Sequence, residues 1–293
     1  MKHFGFLLSV SIAIMLCVGE TAGGQTLLGV LDEPQCKGQS DTAVRALFAK
    51  SETGWTPLTS ESASKGIDLE KINWVIALHG RKIGQVRTLD PGFSTPYEWT
   101  YPRDRLLNIS PNQTVPRVGN ELHLFAGWCR EPRNRPLVVV SNGSVSDPDN
   151  WKPFKPDASL IARVFPLFRE HAGPAVVCPQ HSDSSVPFSY TPDDLEALEG
   201  YRDRSGRRLI SVRLKPRAGG CHYPSDEAWD THTFVVAKQT TYLGAGLTLV
   251  DAGDYGANGK SELLFWFSGY DRDGYVLFSS DIAKKADYLW SYH

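Results

Sequence analysis

Residues 263–278 read Leu-Leu-Phe-Trp-Phe-Ser-Gly-Tyr-Asp-Arg-Asp-Gly-Tyr-Val-Leu-Phe. Two apolar, aromatic-rich arms flank a short polar turn, the pattern of strand, turn and strand. Three other stretches read the same way. Asn73–Leu89 folds about Gly80 and Gly84, and Pro136–Gly143 ends on the tight-turn pair Asn142-Gly143. Gly200–Gly206 is a polar turn leading into the apolar run Arg207–Leu214. The 26 glycines and 19 prolines favour many turns over long helices. The fold class is therefore mainly β with a few short helices. Those helices are expected at Asp41–Lys50, at Ser159–Phe165 (broken at Pro166), and from the cap Thr191-Pro192-Asp193-Asp194 to Glu199.

The glycines that close these turns, Gly84, Gly143, Gly206 and Gly274, recur at intervals of roughly 60 residues. The last two turns are also alike: Gly200-Tyr-Arg-Asp-Arg-Ser-Gly206 against Gly269-Tyr-Asp-Arg-Asp-Gly274. This spacing predicts a propeller-like array of about four or five β units. The alternative is a β-sandwich whose hairpins are evenly spread.

The chain opens with the parts of a signal peptide. Lys2 and His3 are positive, Phe4–Val18 is apolar, and Ala22 and Gly24 stand at −3 and −1 of a cut before Gln25. The apolar run is shorter than the ~20 residues a bilayer crossing needs. Residues 1–24 are thus read as a leader and 25–293 as a single β-repeat domain, secreted or periplasmic, with no membrane span after cleavage. A net charge of −2 supplies no attraction for nucleic acid. Cleavage leaves Cys36, Cys129, Cys178 and Cys221, which in an exported chain suggest two disulfides. Four cysteines permit three pairings. Cys178–Cys221 with Cys36–Cys129 is preferred, because Cys178 and Cys221 each sit beside an apparent strand. Large aromatics in β proteins usually fill the core, as Trp74 and Trp266 in their apolar strands are expected to; Trp99, Trp151 and Trp229 lie in polar stretches and are the better surface candidates.

Outward from the opening stretch, Leu247–Trp266 is the segment most suggestive of chemistry. An apolar strand runs to Asp251, a glycine-containing polar loop follows, and a second strand starts at Leu263. Asp251, Asp254, Asn258, Ser261 and Glu262 offer side-chain oxygens to a hard cation such as calcium. The plain alternative is a tight turn whose oxygens accept backbone N–H bonds. The order strand, D-x-x-D-x-x-x-x-G-K-S-E-L, strand resembles a repeat of the FG-GAP/VCBS type found in integrin-like propellers, with one recognisable unit near residues 247–278. The resemblance implies a short calcium-binding loop joining two strands of a blade. By position its ligands are Asp254, Asn258 and Glu262, with Asp251 just before the loop. The chain departs from the pattern at Gly256 and Asn258, so two expected carboxylates are lost. Gly269–Gly274 also carries two carboxylates, but Arg272 between them marks a solvated hairpin tip.

The usual catalytic spacings (G-x-S-x-G, H-E-x-x-H, the P-loop, the dinucleotide fingerprint) are missing. The sequence thus points to a non-enzymatic exported binding or scaffold protein for a protein or carbohydrate surface ligand. A secreted carbohydrate-active hydrolase on a propeller is the alternative. It would need two acids in a cleft, and the sequence nominates none.

Overall fold

The chain lays down its sheets one after another. A computed structural model describes residues 25–33, 42–58, 71–89, 106–120, 123–127, 132–177, 186–215, 230–279 and 281–291. Sheet I uses the first seven strands: β1 (Leu27–Asp32), β2 (Ala43–Ser51), β3 (Gly54–Pro57), β4 (Asn73–Leu78), β5 (Arg81–Arg87), β6 (Leu106–Asn108) and β7 (Leu137–Val140). Its order is β3-β2-β1-β7-β4-β5, with β6 sharing the outer edge of β2. Next come β8 (Lys152–Pro153), helix α1 (Ala158–Ala172), the small ribbon β9 (Ala175–Val177) and β10 (Val186–Phe188), and then β11 (Leu195–Arg202), β12 (Arg208–Leu214), β13 (His232–Val236) and β14 (Thr240–Ala245). Sheet II is β14-β13-β12-β11-β8. Sheet III is the meander β15 (Leu247–Gly253), β16 (Glu262–Gly269), β17 (Arg272–Phe278) and β18 (Lys285–Ser291). All pairings are antiparallel, and none of the three sheets is closed into a barrel.

Side-chain alternation explains how the sheets stack. On β16–β18, Leu264, Trp266, Tyr275, Leu277, Tyr288 and Trp290 join the core shared with sheet I. Their neighbours Leu263, Phe265, Val276 and Phe278 join the core shared with Leu209 and Val235 of sheet II. A strand apolar at every position has two faces to bury, and sheet III satisfies both by lying between the other two. Sheet II in turn presents Ile210, Val212, Leu214, Phe234 and Val236 to α1, which answers with Leu160, Val164 and Phe168 at i, i+4 and i+8. The layers run sheet I, sheet III, sheet II, helix, a sandwich-like stack with one sheet too many for a simple sandwich. Burying each of these large side chains contributes about 1.5–3 kcal/mol. The switch from sheet II to sheet III is made at Gly246, whose φ of 67° lies in the left-handed region. Its N–H donates to the Thr231 carbonyl at 2.7 Å, and its carbonyl accepts the Ser268 N–H at 2.9 Å.

The hairpins expected at 73–89, 200–214 and 263–278 are present, and Leu106–Asn108 is a strand. The three expected helices fare differently. Residues 43–51 form β2, with Val44–Ala49 buried in succession. The run Ala-Val-Arg-Ala-Leu-Phe-Ala-Lys has helical propensity, but a segment buried all round inside a sheet takes the conformation its neighbours need. The cap at Thr191 is real, with its Oγ1 and N–H both donating to Asp194 at 2.9 and 2.8 Å. It closes only one turn of 3-10 helix before Leu195 turns extended. Helix α1 runs through Pro166 rather than ending there. Pro166 and Ala162 are both on the exposed face, so the carbonyl left without an N–H partner is open to water. The evenly spaced glycines are not equivalent: Gly206 lies in a hairpin turn and Gly84 inside β5, Gly274 is inside β17, and Gly143 follows β7. Cys36, Cys129, Cys178, Cys221, Trp99, Trp229 and residues 1–24, on which the disulfide and leader expectations rest, lie outside the described residues. Trp74 and Trp266 are core as expected, whereas Trp151 is 7% exposed beneath the Arg207 guanidinium, 5.4 Å from its ring. The Gly269–Gly274 tip exposes Tyr270 and Asp271 but buries Asp273 completely, so it is not simply a solvated turn.

Candidate functional site

Two β-bulges decide where the buried acids of sheets II and III point. On β11 the register slips between Ala197 and Glu199, leaving Leu198 without a cross-strand partner. Before the slip the odd residues Leu195 and Ala197 face α1; after it the odd residue Tyr201 packs with the sheet III core. The extra residue thus turns Glu199 from the helix side to the side facing sheet III. On β15 the slip falls between Leu249 and Asp251. Leu247 and Leu249 face sheet II, whereas Asp251 now pairs with Leu264, on the side of sheet I. An acid on each strand is re-aimed by one inserted residue.

Glu199 lines a cleft of about 420 Å³ at the free edge of β15. The wall from sheet II is polar (Ser211, Arg213 and Thr231), although further along the same interface the residues are apolar. Leu247 and Thr248 of β15 and the segment His123–Ala126 close the other side. That segment is pinned to sheet III: Thr248 Oγ1 donates to the Leu124 carbonyl at 2.8 Å, and Trp266 Nε1 to the Ala126 carbonyl at 2.8 Å. The residue Glu199 keeps part of its surface open, yet its Oε2 is shut off from solvent and has no hydrogen-bond partner. Burial pushes its carboxyl up to about 7, against the pull of the Leu249 N–H and the Arg135 charge. Arg213 is held by Glu196, Nε to Oε1 at 2.7 Å.

The loop at 251–262 assembles its four expected ligands differently. Asp251 turns away, accepting the His79 N–H at 3.0 Å and its neighbour Ala252 N–H at 2.9 Å. Burial pushes its carboxyl up to about 6. Asp254 accepts the N–H groups of Asn258 (2.6 Å) and Gly259 (2.9 Å), one on each oxygen. Glu262 takes the Gly256 N–H at 3.1 Å and Asn258 Nδ2 at 3.3 Å, with burial raising its pKa. Asn258 Oδ1 accepts the Lys260 N–H at 3.0 Å. The carboxylates therefore face loop N–H groups rather than a shared centre. Among the described residues no three acidic, histidine or cysteine side chains converge on a cation position. In this arrangement the four do not fit calcium. Asp254→Ala should lower stability by about 1–2 kcal/mol, since two loop N–H groups lose their acceptor. The loss, read by urea unfolding, is expected to be the same in calcium and in EGTA. A loss confined to calcium would put an ion in the loop after all.

Sequence reasoning missed Glu199 because Ala-Leu-Glu-Gly read as the end of a helix. The bulge that aims it has no residue signature beyond the broken alternation of Leu195 to Tyr201. Comparison with models of known families, with curated proteins and with solved structures finds no match for this chain.

Proposed function

We propose that this chain is an exported binding protein whose ligand, a small polar molecule, sits in the cleft between sheets II and III. The observation that carries this reading is Glu199: an acid without a partner for one oxygen, turned by a bulge to the one side of sheet II where the apolar interface gives way to a cleft. A cleft of this size suits a small ligand, with an apolar wall and a few convergent polar groups. The leader-like residues 1–24 support export. Binding is favoured over hydrolysis because the neighbouring acid, Glu196, is committed to Arg213, which leaves Glu199 without a free second carboxylate on the cleft wall among the described residues. In the same reading the three sheets are units of a propeller-like array, with 247–278 as its FG-GAP/VCBS-like unit. Their contiguity in sequence, their face-to-face packing and the strand-loop-strand of β15–β16 support that view.

The test is a thermal-shift panel of small amines, polyols, sugars and carboxylates on the mature chain and on Leu198→Trp, which fills the cleft. Compounds that raise the melting temperature of the wild type should lose their effect on the filled variant. A panel without a hit, or hits that survive the filling, overturns the reading.

A further inference from the structure

We propose that the cleft selects a ligand carrying an alkylammonium group, seated on Glu199 and the hydroxyl oxygens around it. This rests on the binding reading of the same cleft. The hydroxyl protons nearest Glu199 can be assigned one by one. Thr233 Oγ1 donates its single proton to the Leu247 carbonyl at 3.2 Å. The 3.0 Å contact between Ser211 Oγ and Thr233 Oγ1 must then use the Ser211 proton. Thr248 has given its proton to the Leu124 carbonyl. Arg213 points its Nε at Glu196. The hydroxyl protons of Ser211 and Thr248 and the Nε–H of Arg213 are thereby committed within the protein. Beside Glu199 these groups leave acceptor capacity: the lone pairs of Ser211 and Thr248, and the partnerless Oε2 of Glu199 itself.

An ammonium is the complementary group, with three donors and no acceptor. A carboxylate would meet the charge of Glu199 as a like charge, and a sugar would bring no charge to compensate it. Behind the ammonium, Leu124, Ala126, Leu198 and Leu247 offer a surface for an alkyl chain. The carboxyl torsion of a glutamate is broad, so Glu199 can present either oxygen without leaving its rotamer well. The charged groups around it have other duties. Arg135 donates to the Val250 carbonyl and approaches His79, Asp251 lies on the other face of sheet III, and Glu196 is paired with Arg213. Tyr201 packs beside Glu199 and stays neutral, since burial and the Glu199 charge both raise its pKa. His123 stands on the cleft wall opposite sheet II.

The carboxyl that titrates near 7 adds a signature. Only its ionised form pairs with an ammonium, and that form grows from about a tenth to about nine tenths between pH 6 and pH 8. Binding should tighten about tenfold over that interval, with a proton released on binding at the lower pH. The experiment is calorimetric titration of the mature chain with three four-carbon probes: n-butylammonium, 1-butanol and meso-erythritol. The expected result is binding of n-butylammonium alone, about tenfold tighter at pH 8 than at pH 6 and lost in Glu199→Gln. Binding that ignores pH or survives Glu199→Gln overturns the proposal. If erythritol binds and Leu198→Trp abolishes it, the ammonium assignment fails while the cleft remains a binding site. If no probe binds and the wider panel is also silent, both readings fail.

Discussion

Glu199→Gln is expected to stabilise the protein at alkaline pH while leaving it close to the wild type in acid. The folded chain raises this carboxyl from an ordinary 4.5 to about 7, chiefly by burial. Between those values the native state holds a proton that the unfolded chain has released, so wild-type stability falls as pH rises through the window. A tenfold change in acidity is worth about 1.36 kcal/mol, which places the full loss on the order of 3 kcal/mol. Glutamine has the same shape and no charge to bury, so its stability lacks this slope. In urea unfolding, the variant should gain on the wild type by on the order of 3 kcal/mol between about pH 4 and pH 8. A gap that stays flat would mean that the carboxyl finds a partner in the folded protein. An acid that weakens the fold where a neutral isostere would not is what a functional site looks like when its ligand is absent. If the ammonium reading holds, the same substitution strengthens the fold and removes the binding.

Much of the architecture could be read from the residues, and what escaped did so for identifiable reasons. Leu263–Phe278 announced a hairpin because its arms are apolar at every position and its tip is polar. That continuity also records burial on both faces, which is what places sheet III in the middle of the stack. Residues 43–51 misled because alanine, leucine and lysine favour a helix locally, while sheet I has a place only for a strand. Pro166 misled in the other direction: the rule that proline breaks a helix assumes that the orphaned carbonyl is costly, and here it faces water. The 251–262 loop was found between its two strands, although β15 runs on to Gly253 and β16 starts at Glu262. Which way its oxygens point depends on a bulge at Val250 and on N–H groups of the loop itself, and a list of residue types carries neither. Glu199 was hidden for the same reason. One inserted residue at Leu198 changes the face on which it lies, and periodicity is the only trace such an insertion leaves.

His232→Gln should give the opposite pH dependence on the opposite face of sheet II. His232 lies buried beneath α1, its ring 4.9 Å from Phe168, with Nδ1 3.1 Å from the Tyr242 hydroxyl. Burial, helped by the nearby His171, pulls its pKa from 6.5 down to about 4. The folded protein therefore refuses a proton that the unfolded chain accepts, and stability is lost as pH falls from 6.5 towards 4. At the acid end the loss is on the order of 3 kcal/mol. Glutamine stays neutral throughout and should forgo that loss, at the expense of about 1 kcal/mol of packing at neutral pH. The two stability curves must then cross: the wild type leads at pH 7 and the variant leads at about pH 4. Carboxylates that the fold holds below their usual range, Glu33 and Asp203 among them, also weaken it in acid, but they do so equally in both proteins and cancel in the comparison. His171 lies on the outer side, its ring stacked 3.8 Å from that of Tyr242, whose hydroxyl meets His232 on the inner side. The first element to loosen should be α1, which hydrogen exchange of its amides would report as an early, acid-specific loss of protection. Curves that run parallel would show that His232 takes up its proton without cost, and that α1 is held by its apolar stripe alone.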